Sequence, residues 1–333
     1  MWSWIKRIFL LALCTTLLAI AGFGWYAFSP VTLRSDPVDF SIKAGSSLRS
    51  ATRQIVDSGV ELNAWQFSLL GRLLGRSGAI KAGSYEIERG ITPLALLNKL
   101  TSGEVTQTEL ALIEGWTFRQ MRAALDAEPG VKHDSTALSD TEIMSRLGAG
   151  GRSPEGLFFP DTYLFGKGSS DLDILKRAFN AMSRQLQTAW QERAPGLPYR
   201  GPYEALIMAS VIEKETGQAA DRSLISGVFA NRLRIGMMLQ TDPTVIYGMG
   251  ARFDGNLRKK DLLADTPYNT YTRAGLPPTP IAMPGQASLQ AALNPAKTQA
   301  LYFVARGDGS SEFSRTLAEH ERAVAKYQRR GRR

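Results

Sequence analysis

Two acids at the end of an apolar helix are the residues best placed to do chemistry. Pro202 to Gly217 reads PYEALIMASVIEKETG. Proline suits a first helical turn and glycine a helix end, while Leu206, Ile207, Met208, Val211 and Ile212 make the segment apolar nearly all round. Such a helix belongs in a core, yet its last turn carries Glu213 and Glu215. Residues two apart on a helix point about 200° away from one another, so at most one of the pair faces a given cleft. The other meets a cation or solvent. A carboxyl in that position feels the negative end of the helix dipole and loses water, and both effects raise its pKa. An acid still protonated near neutrality can donate to a glycosidic oxygen. On composition alone, ordinary surface glutamates ending a helix remain the alternative.

Other segments could line a carbohydrate cleft. Pro154 to Tyr163 (PEGLFFPDTY) holds two acids, Glu155 and Asp161, among three aromatics in a backbone that proline and glycine keep non-helical. Aromatic faces stack on sugar rings and carboxylates accept from hydroxyls; a loop packed on the core fits the same residues. Leu239 to Thr244 (LQTDPT), Tyr268 to Tyr271 (YNTY) and Gly275 to Ile281 (GLPPTPI) are dense in amides, hydroxyls and fixed turns. Side chains of this kind can bind sugar hydroxyls and N-acetyl groups without charge.

Rival chemistries are poorly supplied. One cysteine, Cys14, excludes an intramolecular disulfide and a multi-cysteine zinc site, and two histidines, His133 and His320, leave little for a metal centre or a Ser-His-Asp triad. Neither a glycine-rich phosphate loop after a strand nor EF-hand spacing occurs, so neither cofactor nor metal is expected. Forty Lys+Arg against 31 Asp+Glu, a net +9, suits nucleic acid, anionic lipid or an acidic polymer alike.

The N-terminus narrows that choice. Ile8 to Phe28 contains no formal charge, enough for a helix of about 31 Å that crosses a bilayer. Lys6 and Arg7 precede it and the next charge is Arg34, which places residues 1–7 in the cytoplasm and everything after Ser29 outside. Trp2, Trp4, Trp25 and Tyr26 flank the run as interfacial anchors, and its length favours an uncleaved anchor over a signal peptide. An exported domain does not meet nucleic acid. Lipid headgroups and a carboxylate-bearing wall remain, with Arg329, Arg330, Arg332 and Arg333 as a frayed tail.

The elements that must position these residues follow from periodicity. A chain of 333 residues exceeds one typical core. After a linker at 29–36, residues 37–103 predict a small α+β module. Val38, Phe40 and Ile42 alternate as a strand, Ser46 or Ser47 caps a helix to Asp57, and a second helix from Ala64 to Leu74 groups Trp65, Leu69, Leu70 and Leu73 on one face. A strand near 85 and a helix opened by Thr92-Pro93 complete it. Its second half, KAGSYEIERGITPLALLNKL, looks like a LysM-type wall-binding module. Residues 104–333 read as a larger α+β domain. Its strands fall near 105–113 and 301–304, a helix is capped by Thr117, 126–153 is a polar loop, and helices occupy 170–235.

Several stretches, VIEKETG, NRLRIGMMLQTDPTVIYGMG, TPYNTYTRAGLPPTPIAMPG and LYFVARGDGSSEFSRTLAEHERAV, resemble the YceG-like family, the endolytic murein transglycosylases. The resemblance implies a single transmembrane helix in a bacterial inner membrane, a LysM-like subdomain and a periplasmic catalytic domain. That domain would cut nascent peptidoglycan strands between N-acetylmuramic acid and N-acetylglucosamine, leaving 1,6-anhydro ends and ending strand elongation. The family's catalytic glutamate precedes threonine in the EKET motif, which is Glu215 followed by Thr216 here. Thr216, Gln240, Thr241, Asp242, Asn269, Tyr271 and Glu155 are the expected substrate-binding residues, and peptidoglycan synthases are candidate partners. Met283-Pro284-Gly285 replaces the family's Asn-Pro-Gly, removing a polar contact at 283. Two rival readings are a silent wall-binding scaffold for synthases and a hydrolase with Asp161 or Asp242 as second carboxylate.

Overall fold

A computed structural model describes residues 2–105, 107–215 and 218–328. Two compact units emerge. The first comprises 1–109 with 129–132 and 164–169, and the second 110–128, 133–163 and 170–333.

The first unit begins with α1 (Trp2–Phe28), whose stretch from Trp4 is long and apolar enough to cross a membrane. Its last turn enters the unit's core, where Ala27 is buried. The segment expected as a linker contains β1 (Thr32–Leu33), which pairs antiparallel with β3 (Val60–Glu61). Between them lie β2 (Val38–Ile42) and α2 (Leu48–Asp57), the latter capped by Ser47 as expected. Then follow α3 (Ala64–Leu73), β4 (Gly83–Ile87) and α4 (Pro93–Ser102), opened by Thr92 and closed by Gly103. β2 and β4 pair antiparallel with Phe40 opposite Tyr85, whose rings stack 5.7 Å apart. Alternation in β2 buries Val38, Phe40 and Ile42 on the helices, as period two requires.

One expectation for this unit fails. The apolar face of α3 that groups Trp65, Leu69, Leu70 and Leu73 is not buried as one, since Trp65 and Leu73 are exposed while Phe67, Leu70 and Gly71 are buried. Gly71 faces α2. A Cβ there would lie 2.3 Å from Leu48 Cδ2, so any larger residue would require the Leu48 side chain to move.

Short strands β5 (Gln107–Ala111), β6 (Val131–Lys132), β7 (Thr162–Gly166) and β8 (Ser169–Ser170) fall where the chain passes from one unit to the other. In the second unit α5 (Phe118–Asp126) starts at a capping box of Thr117 and Gln120. The region read as a polar loop contains a further helix, α6 (Asp140–Arg146), with Ser139 and Glu142 forming another box. That Ser-x-x-Glu signal was present in the sequence and outweighed by composition. The loop before it is held by Asp171, whose buried carboxylate accepts from Ser135 N at 3.0 Å and Ser135 Oγ at 2.6 Å.

α7 (Asp171–Gln191), α8 (Pro202–Glu215) and α9 (Ala219–Arg234) follow, then α10 (Asp242–Met249), α11 (Lys259–Leu263) and α12 (Gln286–Leu293). The chain continues as an antiparallel hairpin of β9 (Tyr302–Ala305) and β10 (Ser311–Ser314), and α13 (Leu317–Tyr327). α8 packs against α7, α9, α10 and α12 and buries every residue from Ala205 to Ile212. Each large apolar side chain so enclosed contributes about 1.5–3 kcal/mol, which fixes the axis that carries Glu213 and Glu215. Gly217 and the terminal arginines lie outside the described residues.

Candidate active site

The end of α8 presents its two acids to different surroundings, as their angular separation demands. Glu213 is tied to a loop, with Oε2 accepting from Gly285 N at 3.0 Å. Glu215 points elsewhere. Its Oε2 accepts from Thr241 Oγ1 at 2.5 Å. Burial raises the Glu215 pKa above the ordinary glutamic value, the Thr241 hydroxyl opposes that by stabilising the carboxylate, Asp242 raises it further and Arg232 lowers it. One carboxyl oxygen is thus held by a donor. A carboxyl raised in this way can carry or receive a proton near neutrality.

Thr241 is placed by the turn into α10. Gln240 adopts φ 48°, the single non-glycine with positive φ among the described residues. That conformation costs roughly 1–2 kcal/mol and persists only where neighbours enforce it. Here they do, because Gln240 N donates to Thr270 O at 3.0 Å and Thr241 N to Thr270 Oγ1 at 3.1 Å. The Gln240 side chain is exposed. Asp242, first residue of α10, accepts from Tyr271 Oη at 2.6 Å, and the Tyr271 pKa is raised by burial first, then by Asp242 and Glu215. Glu215, Thr241, Asp242 and Tyr271 therefore form one cluster.

Asn269 and Glu155, also expected to bind substrate, have internal partners. Asn269 is 0% exposed. Its Nδ2 donates to the carbonyls of Leu262 and Ala264 at 3.0 and 2.7 Å, and its Oδ1 accepts from Tyr271 N at 2.8 Å. It staples the loop that carries Tyr271. Glu155 is 5% exposed, with Oε1 accepting from Phe118 N and Oε2 from Tyr247 Oη, both at 3.0 Å. It braces the far end of α10. Thr216 lies outside the described residues. Asp161 is exposed and accepts from Thr162 N at 2.8 Å.

Burial pushes Glu155 up to about 7 despite hydrogen bonds from Tyr247 and the Phe118 and Gly156 backbone. A carboxyl raised in the folded state favours folding at low pH, and that advantage is lost as pH rises from the ordinary glutamic value towards 7. The expected loss for this group is on the order of 3 kcal/mol. Glu155→Gln, which keeps both contacts without charge, should flatten the decline in Tm between about pH 5 and 8. Thermal unfolding of both proteins across that range checks it, and parallel curves would deny Glu155 the effect.

Arg232 was not anticipated. It is 7% exposed on α9, donating from Nε to Leu301 O at 2.7 Å and from Nη1 to Leu239 O at 2.6 Å, with its guanidinium 5.5 Å from the Tyr302 ring. It holds the approach to Gln240 and places positive charge near Glu215. A signal existed, since Val228, Phe229 and Arg232 share one helical face at spacings of three and four. Thr244 and Thr270 fall in segments singled out above for their hydroxyls, whereas Tyr247 was missed, because it lies within an apolar stretch (TVIYGM) with no signature of its own.

The decisive observation is extent. Residues 40–326 match the YceG-like family. The chain belongs to that family. A protein of Bacillus subtilis (strain 168) named endolytic murein transglycosylase is 35% identical over 308 residues, 87% of this chain and 84% of its own length. A protein of the same name from Streptococcus pneumoniae (strain D39) is 25% identical over 96% of this chain, which spans 65% of the pneumococcal protein. The crystal structure of a YceG-like protein from Listeria monocytogenes matches with a TM-score of 0.55 at 30% identity, over 86% of this chain and 99% of that one. Within the family frame, the matched region contains every residue of the Glu215 cluster.

Proposed function

We propose that this chain is an endolytic murein transglycosylase in which Glu215 serves as both acid and base. The observation that carries the proposal is the half-buried Glu215 carboxyl with raised pKa, held on one oxygen by Thr241. Protonated Glu215 would donate to the glycosidic oxygen as the bond from muramyl C1 breaks. The C6 hydroxyl of the same muramyl residue would then bond to C1 and return its proton to the Glu215 carboxylate. Protons balance, water is not consumed, and the products are a 1,6-anhydro end and a free N-acetylglucosaminyl end. A separate nucleophilic carboxylate is not required, unlike ordinary glycoside hydrolysis. Tyr271, Asp242 and the exposed Gln240 side chain would orient the sugars, whereas Asn269 and Glu155 would act through the loops they hold.

The same reading takes α1 as a single inner-membrane anchor with residues 1–7 cytoplasmic and the second unit periplasmic. It treats 37–103 as a LysM-like wall-binding subdomain, 104–333 as the catalytic domain and synthases as candidate partners. Incubating the protein with uncrosslinked peptidoglycan strands and weighing the products tests the reaction. Anhydro-muramyl ends support it, reducing muramic ends would indicate hydrolysis with Asp161 or Asp242 as second carboxylate, and intact strands would leave only a scaffold.

The pH profile tests the role of Glu215 separately. Because the acid form starts the reaction, kcat/KM should fall on the alkaline side as Glu215 ionises. Thr241→Val removes a donor that favours the carboxylate and should move that limb to higher pH. Asp242→Asn removes a negative neighbour and should move it lower. Shifts in the same direction would contradict the assignment.

A further inference from the structure

We infer that α3 is a membrane-resting surface, with Trp65 and Leu73 seated in the headgroup region beside the point where α1 leaves the bilayer. The inference rests on reading α1 as the membrane anchor. Trp65, Leu69 and Leu73 recur every four residues and so occupy one face of α3. Burial does not claim that face, for Trp65 is 70% and Leu73 66% exposed. Phe67, Leu70 and Gly71 on the other side of α3 are buried in the unit's core, which leaves Trp65 and Leu73 outward. A tryptophan and a leucine held outward on one helix face offer an apolar surface of the kind that can meet a membrane or a protein.

Continuity with the anchor identifies the occupant as lipid. Asn63 caps α3, and the Tyr26 hydroxyl of α1 lies 3.5 Å from Asn63 O. The first residues of α3 therefore sit at the exit of the spanning helix. Trp25 is exposed there, and Ala27 is buried in the unit's core, which ties the unit to the last turn of the anchor. α3 contains no acid among its ten residues and a single basic one, Arg72, next to Leu73. An outward Trp and Leu beside a lone arginine suit a helix lying in the interface of an anionic bilayer, where tryptophan settles at headgroup depth. A surface facing only water would favour charge of both signs.

Depth measurement on the full chain tests this. In a Cys14→Ser background, single spin labels are introduced by Trp65→Cys, Leu73→Cys, Leu17→Cys and Ala44→Cys, the last in an exposed turn after β2. The protein is reconstituted in nanodiscs of phosphatidylethanolamine and phosphatidylglycerol, and collisions with oxygen, enriched in lipid, are compared with those of an excluded nickel chelate. Labels at 65 and 73 should favour oxygen severalfold, as at 17, while 44 favours nickel. If 65 and 73 behave like 44 while 17 remains in lipid, the anchor stands and the resting surface is wrong. If 17 is also aqueous, the anchor reading itself fails. Shielding of 65 and 73 from both reagents, with dipolar broadening, would assign the face to a second copy of the chain and overturn the lipid assignment.

Discussion

Glu215→Gln is expected to lower strand cleavage by about 10³–10⁴-fold, because one residue would supply both the proton that leaves and the base that receives it. The amide is nearly the same shape and can still accept from Thr241, so the cluster should persist. Stability should move the opposite way. The carboxyl has a raised pKa in the folded chain, so its contribution is complete at low pH and declines as pH rises through the folded value. At pH 8 the glutamine variant avoids that penalty and should melt at a higher temperature than the parent, with the gap closing towards about pH 4. Product analysis and thermal unfolding of the same two preparations read both effects. Retained cleavage would remove Glu215 from the chemistry. Lost cleavage with a lowered Tm would mean that the substitution had damaged the fold.

Gly156→Ala is expected to have the largest effect on stability. The residue has φ 75°, where a side chain costs roughly 1–2 kcal/mol. An added Cβ would lie 2.4 and 2.7 Å from Cβ and Cγ of Pro280 and 3.2 Å from Ala282 O. Proline has no rotamer into which it can retreat, so overpacking adds about 1–3 kcal/mol. Together these should lower Tm by about 10 °C for a unit of this size. Gly196→Ala separates the two causes, since Gly196 has φ 70° with nothing within 4 Å of its would-be Cβ. That variant should show the backbone cost alone. Equal losses in the two proteins would mean that contact with Pro280 contributes nothing. Because Gly156 adjoins Glu155, which braces Tyr247, the first variant should also cut cleavage while the second leaves it unchanged.

Much of the architecture was legible because its signals are local. Ser47, Thr92 and Thr117 each cap a helix where their types and spacing indicated, since a cap is decided within one turn. The apolar run of α8 announced its own burial, and the terminal acids their opposed directions, because both follow from 3.6 residues per turn. Motif resemblance indicated which acid to single out, where periodicity left Glu213 and Glu215 open.

What the sequence left open shares one cause, that long-range contact is not written in composition. Glu155 and Asn269 were expected at a sugar. In the folded chain both satisfy buried backbone and hydroxyl groups that only tertiary packing brings near, and an unpaired buried donor or acceptor costs about 1–3 kcal/mol. Arg232 entered the cluster for the converse reason, its charge accommodated by carbonyls of residues 239 and 301 that lie far apart along the chain. The outward turn of Trp65 and Leu73 was hidden because periodicity reports which residues share a face, not which partner that face meets. Local sequence decided the helices, their caps and the anchor's length, since those energies act within a turn or two. Tertiary packing decided which polar groups meet Glu215 and which way α3 faces, since those depend on residues such as Thr241 and Leu48 arriving from elsewhere in the chain.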